Sequence, residues 1–385
     1  MGSLAAATVQ FVEEWRDPDS IVRCKARKRL AGGLWSEPVI EVALDNAFWF
    51  AENGRVDAAV RGWADVPDRK PFDTLVVLPG NVVGPTLHAA LSIAQTATRA
   101  ILKAASSERA LADIVARQWE SIGPPLAGML RACYWQGGDL DAEARALSMV
   151  DNVIVFGSDE TIGSIRNRLP AGKHFTGHGT RYSVAVVMPD ADLALAATAG
   201  SVDVCMFDQA GCMSPQTIYV VGDESRSLRF AHALDGAMRQ TSLRLPRVTA
   251  TREEASATAD ALRRAYVTAI ASPSHGIAPI YTGPANNGAP DYLIIVEPQG
   301  PPHNHGFGRI VVVKPLELGR APVLTDPVEQ VGFAGRVTDE SMIALALWGE
   351  PDILINDTIE LGEMQRLHEI KPSPQEFYRG ESVDT

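Results

Sequence analysis

The run TLVVLPGN, Thr74 to Asn81, decides the fold. It is a short apolar stretch that ends in Pro-Gly-Asn, the pattern of a buried strand running into a loop. Outward from it, Pro85 to Thr98 is Ala-rich and reads as a helix. Arg99 to Lys103 is a second short strand, followed by the polar cluster AASSE. Leu111 to Ala132 reads as largely helical, interrupted by Gly123-Pro124-Pro125. Val153 to Phe156 is a third strand, and Gly157-Ser158-Asp159 opens another helix with Ser158 or Asp159 as its cap. Strands alternating with helices predict right-handed βαβ units around a parallel sheet. In such sheets ligands bind at the strand-to-helix loops, here PGNVVG, KAASSE and FGSDE.

A second α/β block follows. It has strands at Tyr182–Met188, Thr217–Val221, Tyr292–Val296 and Arg309–Lys314, and helices at Asp192–Ser201, Ser227–Arg239 and Arg252–Ala271. Before the first block, residues 1–65 read as a helical lead-in with scattered aromatics: Phe11, Trp15, Trp35, Phe48 and Trp49. The tail from about Pro372 is polar, and no internal repeat is visible.

The chain has 385 residues, 46% of them hydrophobic and 21% charged, enough core for two domains. The net charge of -12 argues against nucleic acid as a partner. Residues 1–20 lack the basic start and apolar core of a signal peptide, and no apolar run reaches the roughly 18 residues of a membrane span. These features predict a cytoplasmic protein with reduced thiols. The spacings of Cys24, Cys133, Cys205 and Cys212 do not suggest zinc. His303 and His305 lie in a proline-rich loop without acidic partners, and no metal is expected there.

The segment FDQAGCMSPQ, Phe207 to Gln216, places Cys212 after a glycine and before a Ser-Pro that can open a helix. A glycine lets the backbone bend sharply, and N–H dipoles at a helix start can stabilise a thiolate. The competing reading is a buried structural cysteine.

Five motifs in order, PGNVVG (79–84), YWQGGD (134–139), VFGSDET (155–161), GHGTRYS (177–183) and DQAGCMSP (208–215), carry a resemblance. Together they resemble the fatty acyl-CoA reductases of bacterial bioluminescence, within the aldehyde dehydrogenase superfamily. The resemblance runs from about residue 74 to about 370. It implies an α/β, aldehyde dehydrogenase-like fold with a Rossmann-type cofactor domain and an α/β catalytic domain. The nucleotide-binding domain would span 1–176 plus about 346–371, the catalytic domain 177–345 and a tail 372–385. A dimer or tetramer is implied, with the active site in the cleft between the domains.

By this resemblance Cys212 is the nucleophile, taking the acyl group from a thioester. The implied activity is NADPH-dependent reduction of acyl-CoA or acyl-carrier-protein to an aldehyde. Asn81 matches the oxyanion-stabilising asparagine, though an Asn after Gly80 can simply shape a turn. Aldehyde-oxidising members carry a hydrolytic glutamate 34 residues before the cysteine; here that position (212 − 178) is His178. The missing carboxylate disfavours hydrolysis of the acyl-enzyme, and an imidazole can move protons for Cys212 or the leaving thiolate. Lys103 matches the adenosine-ribose lysine. Ser106, followed by Ser107, stands where a carboxylate would favour NAD, and the hydroxyls favour NADPH. Gly157 and Ser158 match the pyrophosphate contact at a helix N-terminus. In HGFGRIVVV, Phe307 and Gly308 match the nicotinamide-ribose motif, with His305 at the glutamate position. The WQGGD stretch reads as a structural turn, and Cys205 as a core residue. Two rival readings remain: a thioester transferase or hydrolase using Cys212, and a non-catalytic binding subunit.

Overall fold

In the computed structural model, residues 3–48, 73–248, 251–271, 280–286, 289–302, 308–317, 328–335 and 355–360 are described. Described residues up to Thr180 form one compact unit, and those from Arg181 onward form another.

The first unit begins with helices α1 (Leu4–Arg16), α2 (Ile21–Leu30) and α3 (Glu37–Asn46). Ser3 and Ser20 cap the first two, each side chain accepting a backbone N–H of the first turn. Phe11 and Trp15 have no exposed surface, each burial contributing roughly 1.5–3 kcal/mol. Phe11 meets Phe48 and Trp119 edge-on, with ring centroids 5.7 Å apart in both cases. The expected helical lead-in is present as far as residue 48, while Trp49 lies outside the described residues.

Next come β1 (Asp73–Val77), α4 (Pro85–Thr96), β2 (Arg99–Lys103), α5 (Arg109–Ile122), β3 (Leu130–Cys133), α6 (Leu140–Ser148), β4 (Asn152–Phe156), α7 (Asp159–Arg166) and β5 (His174–His178). All five strands are parallel, in the order β3-β2-β1-β4-β5. The order reverses between β1 and β4, so the loops after these strands flank the crevice where such sheets bind ligands. The sequence placed a helix through Ala132; instead α5 stops at Ile122, where Gly123 turns left-handed at φ 81°. Leu130–Cys133 then pairs with β2 as a strand, because an otherwise open sheet edge offers its backbone groups partners.

The second unit contains β6 (Tyr182–Val187), α8 (Leu193–Cys205), a 3₁₀ turn (Met206–Gln209), β7 (Pro215–Val221), α9 (Glu224–Arg244), α10 (Arg252–Ala271), β8 (Ile280–Thr282), β9 (Ala285–Asn286), β10 (Ala289–Pro290), β11 (Leu293–Val296), β12 (Ile310–Leu316), β13 (Val328–Ala334) and β14 (Ile355–Glu360). Its large sheet runs β14-β13-β6-β7-β12-β11-β8, parallel except for β8, and β9 and β10 form a separate ribbon. Strands β6 and β7 are buried along their whole length, as expected for parallel strands covered on both faces. Strand β14 falls inside the 346–371 stretch expected to rejoin the first domain, but it pairs with β13 in the second unit. Among the described residues, no helix is long and apolar enough to cross a membrane.

Candidate active site

After α8 the chain reverses through three consecutive non-glycine residues in the left-handed region: Phe207, Asp208 and Gln209, at φ 50°, 54° and 65°. Each costs roughly 1–2 kcal/mol, so the turn survives only where its surroundings over-determine it. Gln209 supplies much of that constraint. Its side chain is buried, and Nε2 donates to the carbonyls of Pro215 (2.9 Å) and Ile310 (2.7 Å). Its Oε1 accepts the Ile310 N–H at 2.7 Å. Asp208 adds an ion pair: its Oδ1 takes Arg309 Nε at 2.8 Å and the adjacent guanidinium nitrogen at 2.7 Å. Arg309 is fully buried and also donates to the Leu245 carbonyl at 2.8 Å and to Asp291 Oδ2 at 3.3 Å. The Asp208 carbonyl accepts the Gly308 N–H at 3.0 Å, and Gly308 has φ 100°, a conformation that needs glycine.

Cys212 follows on this clamped turn with a half-buried side chain, and its carbonyl accepts the Ser183 hydroxyl at 2.8 Å. Two sequence expectations are corrected here. Ser214-Pro215 opens β7 rather than a helix, since QTIYVV is apolar and β-branched and Pro is tolerated at the first residue of a strand. The bend comes from residues 207–209, and Gly211 is not among the glycines with positive φ. No helix N-terminus therefore faces this thiol from its own segment. The other two internal thiols are poor nucleophiles: burial pushes Cys205 and Cys133 each up to about 11.

Gly308 lies in the second unit, and Asn81, Lys103, Ser106, Ser107, Gly157, Ser158 and His178 lie in the first. Asn81 is exposed on the loop between β1 and α4. That loop is strapped to the loop after β2, because Ser107 Oγ donates to the Gly80 carbonyl at 2.7 Å. A Cβ on Gly80 would lie 2.8 Å from Ala105 Cβ, so the strap requires glycine there. Ser107's proton is thus committed, whereas Ser106 is exposed. His178 ends β5 with its ring stacked on Phe156, 4.4 Å between centroids and 8° between planes. Its carbonyl accepts the Gly157 N–H at 3.2 Å. Gly157's donor is therefore used, and an anion at α7 would meet the later N–H groups of the first turn. Ser158 caps α7, accepting the Thr161 N–H at 3.3 Å.

Lys103 faces a cavity of about 320 Å³, in the range of small-molecule sites, together with Trp135, Gly137, Thr161, Glu143 and Arg168. Its ammonium lies 5.9 Å from the Trp135 ring centroid. Burial lowers the Lys103 pKa, opposed by Cys133 and Glu143. Arg168 Nε donates to Glu143 Oε1 at 2.7 Å, so this pair is largely self-neutralised. A Cβ on Gly137 would meet nothing within 4 Å, leaving bare backbone on the wall. An ammonium, an aromatic face, open glycine backbone and a nearby helix start suit the phosphorylated, heterocyclic half of a nucleotide. The WQGGD stretch, expected as a structural turn, lines this cavity through Trp135, Gly137 and Gly138, and Glu143, Thr161 and Arg168 join it without a signal in the sequence. Phe307, His303 and His305 lie outside the described residues.

The sequence profile of the acyl-CoA reductase (LuxC) family matches residues 71–317, well over half of the chain. A long-chain acyl-protein thioester reductase of Photorhabdus luminescens is 27% identical over 158 residues, covering 40% of this chain and 33% of that protein. The corresponding protein of Vibrio harveyi is 27% identical over 154 residues, covering 39% of this chain and 32% of its own. The matched span is thus about a third of the length of these relatives. Among solved structures, an NAD-dependent benzaldehyde dehydrogenase from Corynebacterium glutamicum superposes with TM-score 0.67 at 13% identity, covering 98% of this chain and 84% of that one. Aldehyde dehydrogenase 21 of Physcomitrella patens gives TM-score 0.67 at 13% identity, covering 93% and 77%. The fold is therefore that of the aldehyde dehydrogenases.

Proposed function

The chain belongs to the acyl-CoA reductase (LuxC) family, and from that premise we propose that it reduces an acyl thioester to an aldehyde through an acyl-enzyme on Cys212. The observation that carries this reading is the clamped left-handed turn inside the family-matched region, which presents a half-buried thiol on a rigid support. The Cys212 thiolate attacks the thioester carbonyl, the bond to the carrier sulfur breaks, and the carrier leaves as a thiolate that takes a proton. Asn81 donates its amide N–H to the carbonyl oxygen while that oxygen is negative, a contribution of about 3 kcal/mol in comparable sites. His178 supplies or accepts the proton at the sulfur, and it leaves no carboxylate to activate water against the acyl-enzyme.

A nicotinamide cofactor, when bound, supplies the hydride that takes the acyl group to the aldehyde level. Lys103 and Trp135 would hold its adenosine half in the cavity, with the α7 start and Ser158 next to its phosphates and Phe307 beside its nicotinamide ribose. Ser106, with no carboxylate to repel a 2′-phosphate, favours NADPH. The substrate is an acyl-CoA or an acyl-carrier protein, and the assembly is a homo-oligomer.

Two measurements test the reading. Intact-mass spectrometry after incubation with a long-chain acyl-CoA should show an acyl adduct on the wild type and none on Cys212→Ala. Absorbance at 340 nm should fall only with both thioester and NADPH present. An adduct without nucleotide oxidation would favour a transferase or hydrolase. No adduct and no nucleotide binding would leave a non-catalytic subunit.

A further inference from the structure

Glu108, at the start of α5, is a carboxylate with no exposed surface. Its partners lie on another element: Oε1 accepts the Gly84 N–H at 2.9 Å and Oε2 accepts the Thr86 hydroxyl at 3.0 Å, with the Thr86 N–H also bonded. Gly84 and Thr86 flank the first residue of α4, so Glu108 caps that helix from across the sheet edge. Gly84 also has φ 123° and no capping side chain of its own. Together with the Ser107–Gly80 bond, this ties the loop carrying Asn81 to the loop carrying Ser106.

We infer that Glu108 is a positioning residue: its carboxylate fixes the loop that presents Asn81, and it releases that loop on taking a proton. The inference rests on reading Asn81 as the oxyanion donor. Burial raises the Glu108 pKa to about 7, opposed by the bonds from Gly84 and Thr86. Several ionisable side chains of the packed elements are engaged elsewhere: on α2, Arg23 pairs with Glu41 and Asp45, and Arg27 with Glu41. The His88 ring sits on the Ala47 carbonyl at 2.5 Å, Arg109 lies over Tyr134 and Lys103 lies by Trp135. On α1, Glu13 pairs with Arg16 and Glu14 accepts from Gln118. Protonation turns one carboxyl oxygen into a donor facing a wall of donors. Only the Thr86 hydroxyl can reverse to accept, and the neutral carboxyl left to the backbone N–H groups of the α4 start is a weaker acceptor than the carboxylate.

This arrangement has a signature that a merely structural cap lacks. A carboxyl whose folded pKa lies above its ordinary value stabilises the fold at low pH, and that stability is lost as pH rises through about 7. Acid should therefore raise the melting temperature through this group while slowing acyl transfer. A simple cap would move both together.

The test uses the full chain, with a long-chain acyl-CoA as probe and single-turnover acylation of Cys212 read by quenched mass spectrometry. In the wild type the rate should fall about tenfold from pH 8 to pH 6. Glu108→Gln should be flat over that range, and its melting temperature should lose the wild type's rise toward acid. Thr86→Val, which keeps Glu108 but removes one bond to the ionised form, should move the midpoint up by about one pH unit. A limb of unchanged size and midpoint in both variants belongs to another group and overturns the inference. If wild-type Cys212 takes no acyl group at any pH, the reductase reading itself has failed and this inference falls with it.

Discussion

Gln209 offers the sharpest test of how the nucleophile is held. Replacing it by Leu keeps the volume but removes three hydrogen bonds, to the Pro215 carbonyl and to both main-chain groups of Ile310. Each neutral bond contributes about 1 kcal/mol net, and a buried group left unmet adds up to about 3, so Gln209→Leu should cost about 3–5 kcal/mol. For a unit of this size that is a drop of roughly 10 °C in melting temperature. Gln209→Gly loses the same bonds and also leaves a cavity, while relieving about 1–2 kcal/mol of left-handed strain at φ 65°, so it should unfold within about 2 kcal/mol of Gln209→Leu. Urea unfolding followed by circular dichroism measures both. In a background without exposed Cys24, the rate of Cys212 labelling by an aromatic disulfide reports whether the turn has loosened. The reasoning is refuted if Gln209→Leu loses under about 1 kcal/mol.

Other expectations follow from the same residues. His178→Glu restores the carboxylate of aldehyde-oxidising relatives and should speed hydrolysis of the Cys212 adduct, read as loss of acyl mass over time without nucleotide. Lys103→Met should weaken NADPH binding about tenfold or more, read by titration of tryptophan fluorescence, with a smaller effect on NADH. Ser106→Glu should shift the NADPH/NADH ratio of kcat/KM toward NADH; an unchanged ratio would exclude that loop from cofactor choice.

The legible parts of the fold were those written as local pattern. Strands β1, β2 and β4 are apolar runs next to turn residues, and Arg99–Lys103 and Arg252–Ala271 match the structure at both ends. Strand β3 escaped because LRAC is short and only one of its four residues is buried. Strand β5, HFTGH, escaped because none of its side chains is fully buried. Ser214-Pro215 was ambiguous because proline suits both a first helical turn and a strand start; the seven buried residues from Pro215 decide it. In the site, Cys212 stands out by sequence, but its support does not. Gln209 and Asp208 bind residues 101 positions away, a separation that periodicity cannot see. Glu108 was hidden for the same reason, its partners lying 24 and 22 residues upstream.

The Gln209 and Asp208 contacts also set a rule for recombining this protein with its relatives. The nucleophile segment and the Gly308–Ile310 segment form one inheritance block, although a hundred residues separate them along the chain. A chimera that exchanges residues 206–215 alone would import a turn without its lock, whereas one that moves 308–312 with them keeps lock and key together.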